Sequence, residues 1–353
     1  DAGKSMLALK LAIDVATEPP ASGPIAFPPR FFGGEVAAHG SAVILTSEDD
    51  ASEVHRRLNA LDPEGAHAKS GRLYVVPMIS AGGARQIITD GVNGPAATGF
   101  WHELRRQLTT KPDLRLIILD PLSSFAGGNT NDNTLAAALM TMLAELAAET
   151  GATAMVLHHF TKGKGQIKSL TEARDAIRGA GAFVDNGRWA LAMWEADEEC
   201  AYDTLKALGQ KERARAAGIV YQGGLAKSNA PGEKVIRTLV RNATTGLLED
   251  ATEQVRASKP KADEIDAALY AALLQKKQAD PSFAFTASPS ALWTAWRDII
   301  KQLGLPVTKD GKARGRECIT DVFDRMRRKG LIVQTADRTP RFEPAAPGER
   351  EGA

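Results

Sequence analysis

Cysteine is nearly absent from this sequence: its 353 residues hold two, Cys200 and Cys318, and neither belongs to a CxxC pair or a Cys/His cluster. A disulfide framework is excluded and structural zinc is disfavoured, and a reducing, cytoplasmic setting is the resulting expectation. A dominant charge is missing too. The 44 Lys and Arg nearly cancel the 43 Asp and Glu, leaving a formal charge of +1, so any nucleic-acid surface must be local. No apolar run approaches the roughly 18 residues that a membrane-spanning helix needs, and no partnership with a membrane is expected. His39, His55, His67 and His102 lack metal-ligand spacing. There is no internal repeat. The first residue is Asp1, so a leader peptide cannot be sought.

The residues that are present are ordinary for a globular chain, 43% hydrophobic and 25% charged, with room for one large domain and a small one. Residues 4–16 carry apolar side chains at helical spacing, and a Pro/Gly-rich loop spans 19–34. "SAVILTSEDD" then reads as a buried strand ending in acid. A short strand "GRLYVVPM", a Gly-rich loop over 79–98 and the helix "GFWHELRRQL" come next. "LRLIILDPLSSF" has the unbroken apolar character of a strand buried on both faces. A long Ala-rich helix from about 133 to 150 and the strand "ATAMVLHHF" continue the alternation. Such an order predicts an α/β fold with a doubly wound, mainly parallel sheet. Residues 161–181 read as a polar loop with one helical turn, and "RWALAMW", "GIVYQGGLAKSN" and "VIRTLVRN" as later strands.

Gly3-Lys4-Ser5, running at once into a helix, is the closing GK[ST] of a G-x-x-x-x-G-K-[ST] phosphate loop. In that role Gly3 admits the backbone to the phosphates, Lys4 reaches the β and γ oxygens, and Ser5 holds Mg²⁺. Asp120 closes an apolar strand, the place of the aspartate that orders Mg²⁺ through water; a plain strand terminator is the other reading. Pro121 stands next to it where many ATPases place a catalytic glutamate. The water-activating carboxylate is then expected at Glu48, with a solvated acidic turn as the alternative. His158 and His159 end another strand, where a neutral imidazole can sense a γ-phosphate. Arg178 and Arg188 read either as surface residues or as arginines that reach a neighbouring subunit's nucleotide, and Lys227 equally as a loop-end lysine.

The ordered set GKS, "LTSEDD", "LIILDPLSSF", "MVLHHFTKG", "RGAGAFVDNGRW" and "GGLAKSNAPG" resembles the hexameric RepA-type replicative helicases of plasmids, RecA-like enzymes related to the DnaB ring helicases. The resemblance runs over about residues 1–250. It implies a homo-hexameric ATPase that uses ATP and Mg²⁺ and moves along single-stranded DNA. Gly3, Lys4, Ser5 and Met6 would belong to the nucleotide loop, Asp120 to the magnesium site, and Glu48 would be the catalytic carboxylate. His159 would be the γ-phosphate sensor and Arg188 the finger supplied in trans. Arg57 and Lys227 match basic positions near the nucleotide and the subunit boundary. Residues 161–178 take the place of a DNA-facing loop, with Lys162, Lys164, Lys168 and Arg174 for the strand's backbone.

The family has a complete phosphate loop and a strand feeding it; here the first glycine and that strand would lie upstream of Asp1. The expectation is a truncation inside the loop, with poor folding and little ATP binding for residues 1–353 alone. Beyond an ATPase core over 1–256, residues 257–285 read as linker and helix, 286–344 as a winged helix-turn-helix module, and 345–353 as a disordered tail. Between Arg297 and Arg341 twelve Lys and Arg face six Asp and Glu. Arg325, Arg327 and Arg328 lie on the expected recognition helix, where duplex DNA is the expected partner and a solvated face of an interaction module is the alternative. Trp293 and Trp296, three residues apart, read as core.

Overall fold

The computed structural model describes residues 3–18, 29–160, 167–177, 181–232, 234–258, 262–286, 296, 316–335 and 341–345. The chain divides into two units, residues 1–256 and 257–353.

The first unit is built on a parallel sheet. Helix α1 (Lys4–Ala16) is made of strong helix formers and starts at Gly3, whose φ of 76° is left-handed. Strand β1 (Ser41–Thr46) is buried at every residue. It is followed by α2 (Ala51–Leu61), β2 (Leu73–Pro77), α3 (Gly99–Thr109), β3 (Leu114–Asp120), α4 (Asn133–Thr150) and β4 (Thr153–Val156). The strand order is β2-β1-β3-β4, all parallel.

Side-chain alternation divides the core into two layers. Ala42, Ile44, Leu116 and Ile118 pack against Ala8, Leu9, Ala12 and Ile13 of α1. Val43, Leu45, Ile117 and Leu119 face the opposite way, onto Trp101 and Leu104 of α3 and Leu135 and Leu139 of α4. Both faces of the sheet are therefore covered, which is why its strands read as continuous apolar runs. Capping residues fix where the helices begin. Asp50 accepts from the Glu53 amide at 2.8 Å, Thr98 from Trp101, and Asp132 from Thr134 and Leu135.

Two parts differ from the sequence expectation. Residues 79–98 contain an antiparallel hairpin, Ile88–Gly91 with Gly94–Ala97, anchored by the buried Ile87 and Ile88. Its two-residue turn, Val92-Asn93, is followed by Gly94 at φ 106°, the feature that the glycine content of the stretch obscures. The later strands do not extend the parallel sheet. After α5 (Leu170–Asp175) and α6 (Ala182–Asn186), strands β5 (Trp189–Glu195), β6 (Val220–Ser228), β7 (Arg237–Arg241) and β8 (Leu248–Asp250) form an antiparallel sheet of their own. The connection from β5 to β6 carries α7 (Glu198–Ala207).

In the second unit, α8 (Ala262–Ala279) and α9 (Arg316–Arg328) are followed by an antiparallel pair, β9 (Ile332–Gln334) and β10 (Phe342–Pro344). Leu269, Tyr270 and Leu273 of α8 join Trp296, Phe323, Met326, Ile332 and Phe342 in one core. The segment read as linker and helix thus shares a core with the module on its C-terminal side. Ala345, assigned to the tail, is buried and accepts from the Tyr270 hydroxyl. The expected middle helix falls outside the described residues apart from Trp296. Among the described residues no helix is long and apolar enough to cross a membrane.

Candidate functional site

The C-terminal edge of the parallel sheet gathers the residues that the sequence separates. Thr46 and Asp120 are register partners at the ends of β1 and β3, and the Ser47 amide donates to the Asp120 carbonyl at 2.8 Å. Asp120 lies on the α1 side of the sheet, by its alternation with Leu116 and Ile118. There its carboxylate accepts a hydrogen bond from the Ser5 hydroxyl in the first turn of α1. A cis peptide joins Asp120 to Pro121.

Burial is the main force on this carboxyl. It is 5% exposed, and burial, with Glu48 and Asp49 nearby, pushes its pKa up to about 6 against the pull of Ser5 and Lys4. Lys4 is also displaced: burial lowers it, while Asp120 and Glu48 act in the opposite direction. The pocket therefore holds a carboxylate short of positive charge.

His159 stands between the lysine and the glutamate. Its Nδ1 lies 3.4 Å from Lys4 Nζ and its Nε2 lies 3.5 Å from Glu48 Oε1. An ammonium can only donate and a carboxylate can only accept, so Nδ1 faces a donor and Nε2 an acceptor. His158 faces away, with its ring edge-to-face on Phe183 at 5.4 Å.

The oxygen donors suit a magnesium ion. Ser5 and Asp120 offer a hydroxyl and a carboxylate side by side, a hard oxygen pair that could hold the ion if further oxygen ligands completed its shell. The raised Asp120 carboxyl is a group whose ionised form a cation would favour. Among the described residues no group of three His, Cys, Asp or Glu is placed to hold a metal by itself.

The other candidate residues have definite partners. Arg57 Nη1 lies 2.6 Å from Asp49, and its Nε donates to Glu53 at 2.8 Å, so it braces the acidic turn beside Glu48. Burial raises the Asp49 pKa despite this arginine. Lys227 Nζ donates to the carbonyls of Val184, Asp185 and Gly187 at 2.9, 2.6 and 2.7 Å, closing the C-terminal end of α6. Arg188, just beyond, is exposed, and none of its side-chain contacts joins it to Lys4, Glu48, Asp120 or His159. Lys168 is exposed, and Arg174 pairs with Asp185 at 3.0 Å. Lys162, Lys164 and Arg178 lie outside the described residues.

Residues 1–165 match the family model described as an AAA domain. This match contains every residue placed at the sheet edge, from Lys4 to His159, and covers under half of the chain. Among solved structures, the ATPase domain of G40P aligns at 14% identity over 59% of this chain and 74% of that one, with a TM-score of 0.38. A DnaB-like replicative helicase, solved with attention to its interactions with primase, aligns at 14% identity over 59% of this chain and half of its own, TM-score 0.39. RadB recombinase aligns at 10% identity over 70% and 86%, TM-score 0.38.

In the second unit the three candidate arginines part company. Arg325 makes a forked contact with Asp266 at 2.6–3.0 Å, joined by Lys329 at 2.7 Å, and Asp266 is 1% exposed. Burial raises that carboxyl, but the Arg325 and Lys329 hydrogen bonds outweigh it and hold the pKa below its ordinary value. Arg327 and Arg328 are exposed on α9, the former 5.8 Å from the Phe342 ring centre.

Two groups at the site escape a reading of motifs. Thr46 Oγ1 and Ser47 Oγ, both in "LTSEDD", are buried without hydrogen-bond partners among the described residues. Hydroxyls directly before an acidic cluster were the available signal.

Proposed function

We propose that this chain is an ATP hydrolase that drives a DNA-stimulated, ring-forming helicase of the RepA type, acting in the cytoplasm in plasmid, phage or mobile-element replication. The single observation that carries the reading is His159, whose two ring nitrogens link Lys4 to Glu48 directly beside the Ser5–Asp120 pair. Gly3, Lys4, Ser5 and Met6 at the start of α1 receive the ATP phosphates on backbone N–H groups that a helix leaves unpaired. Ser5, and Asp120 through water, would hold Mg²⁺, which would supply charge stabilisation at the phosphates. Glu48 takes the proton of the water that attacks the γ-phosphorus, and ADP and phosphate leave. His159 reports the γ-phosphate by exchanging its Lys4 and Glu48 contacts. Arg188 completes the site of a neighbouring subunit, with Lys227 holding its segment. The loop with Lys162, Lys164, Lys168 and Arg174 tracks single-stranded DNA.

Glu48→Gln in the full-length protein tests the chemistry. Turnover is expected to fall about 10²- to 10⁴-fold while ATP stays bound in equilibrium measurements; retained turnover would sink the assignment. Steady-state hydrolysis with and without single-stranded DNA, beside unwinding of a forked duplex, tests the motor.

A second reading is favoured by Arg327 and Arg328, exposed on a helix that leads into a hairpin. It is a nucleotide-regulated DNA-binding protein in which residues 286–344 form a winged helix that reads duplex DNA, and ATP only sets the oligomeric state. In that case Glu48→Gln leaves DNA binding and its output intact, and no strand displacement occurs.

A further inference from the structure

Thr46 is 4% exposed, and its Oγ1 has no hydrogen-bond partner among the described residues. Native structures rarely leave a buried hydroxyl in that state, because it loses its hydrogen bonds to water and gains none. Its backbone is fully engaged: the Thr46 carbonyl accepts from the Met78 amide at 2.7 Å, so the strand end is fixed. Alternation along β1 settles which way the side chain faces. Ala42 and Ile44 pack on α1, Val43 and Leu45 pack on the other layer, and Thr46 therefore shares the α1 side with its register partner Asp120. Neighbouring strands lie about 4.8 Å apart. The orphan hydroxyl thus sits within one water molecule's reach of the carboxyl that Ser5 already marks.

We infer that Thr46 is a positioning residue for the hydrated magnesium ion at Ser5 and Asp120, its Oγ1 accepting a hydrogen bond from a water of the ion's shell. The inference rests on the ATPase reading above and adds to it a group outside the phosphate loop and outside the acidic cluster. Partners that orient a metal's ligands without touching the metal typically change its affinity 10- to 100-fold when removed. The threonine's branched Cβ restricts the rotamers open to the hydroxyl.

The test is a Mg²⁺ titration of binding of a fluorescent, non-hydrolysable ATP analogue to the full-length protein, with EDTA as the metal-free reference. Thr46→Val is expected to need roughly tenfold more Mg²⁺ for half-maximal enhancement, with EDTA-state binding unchanged. Thr46→Ser, which keeps the oxygen, should return to wild-type dependence. Thermal melting should show Thr46→Val as stable as the wild type or more so, since a methyl replaces an unpartnered hydroxyl. Thr46→Ala provides a second hydroxyl-free protein should valine not fold. A Mg²⁺ dependence unchanged in either hydroxyl-free variant overturns the inference. A wild type that binds nucleotide equally with and without Mg²⁺ overturns it as well, and wild type with no nucleotide binding at all removes the ATPase reading along with it.

Discussion

At Asp120, burial and charge act on a single carboxyl. Its pKa in the folded chain, about 6, exceeds the ordinary 3.8, so between those two values the native state holds a proton that the unfolded chain releases. The resulting penalty is fully in force above about pH 6, shrinks as pH falls through that value, and is gone once pH drops below 3.8, where both states are protonated. Asp120→Asn in Mg²⁺-free buffer is therefore expected to raise unfolding stability by up to about 3 kcal/mol at pH 8 and by little near pH 4. Urea unfolding at the two pH values checks this. A gain independent of pH would place its origin elsewhere than in the charge. If the proposed ATPase reading holds, the same variant should also lose ATP hydrolysis, a cost in stability kept for function.

The C-terminal end of the short helix α6 is capped by a side chain from another element. Lys227 on β6 donates to three of the carbonyls that close it, where the helix dipole also favours a cation. Lys227→Met is expected to cost about 2 kcal/mol and to speed amide exchange over residues 182–188, read by hydrogen–deuterium exchange. Unchanged exchange there would mean the cap is dispensable. This role was not legible in "GGLAKSN", because a lysine's partner 40 residues away depends on how β6 pairs with β5. By contrast, β1, β3 and α4 were legible, since strands buried on both faces and an Ala/Leu-rich helix leave strong local patterns. Glu48, Asp120 and Ser5 could be read because each stands at an element's end. The His159 bridge could not be read, since it depends on three strand and helix ends meeting in space. Arg325 on α9 looked available to DNA until α8 supplied Asp266, and a distant acid is invisible to a count of local charge.

For the whole molecule, Arg188 decides whether one chain is enough. It is exposed beside Trp189, itself 37% exposed, and among the described residues it makes no contact with the Lys4–Glu48 group. If it serves a neighbour, then Arg188→Ala and Lys4→Ala chains, each inactive alone, should recover part of their ATPase activity when mixed. No recovery at any ratio would assign Arg188 to the surface. Gly3 offers a further consequence. A Cβ on it would lie 3.1 Å from the Leu248 side chain, so this glycine rests against the last antiparallel pair of the first unit. Leu248 begins β8, and β8 leads into Thr252–Ala257, where the second unit starts. The first turn of α1 and the strand by which the polypeptide leaves this unit are thus neighbours, so a side chain added at position 3 would press on the exit strand as well as on the helix start.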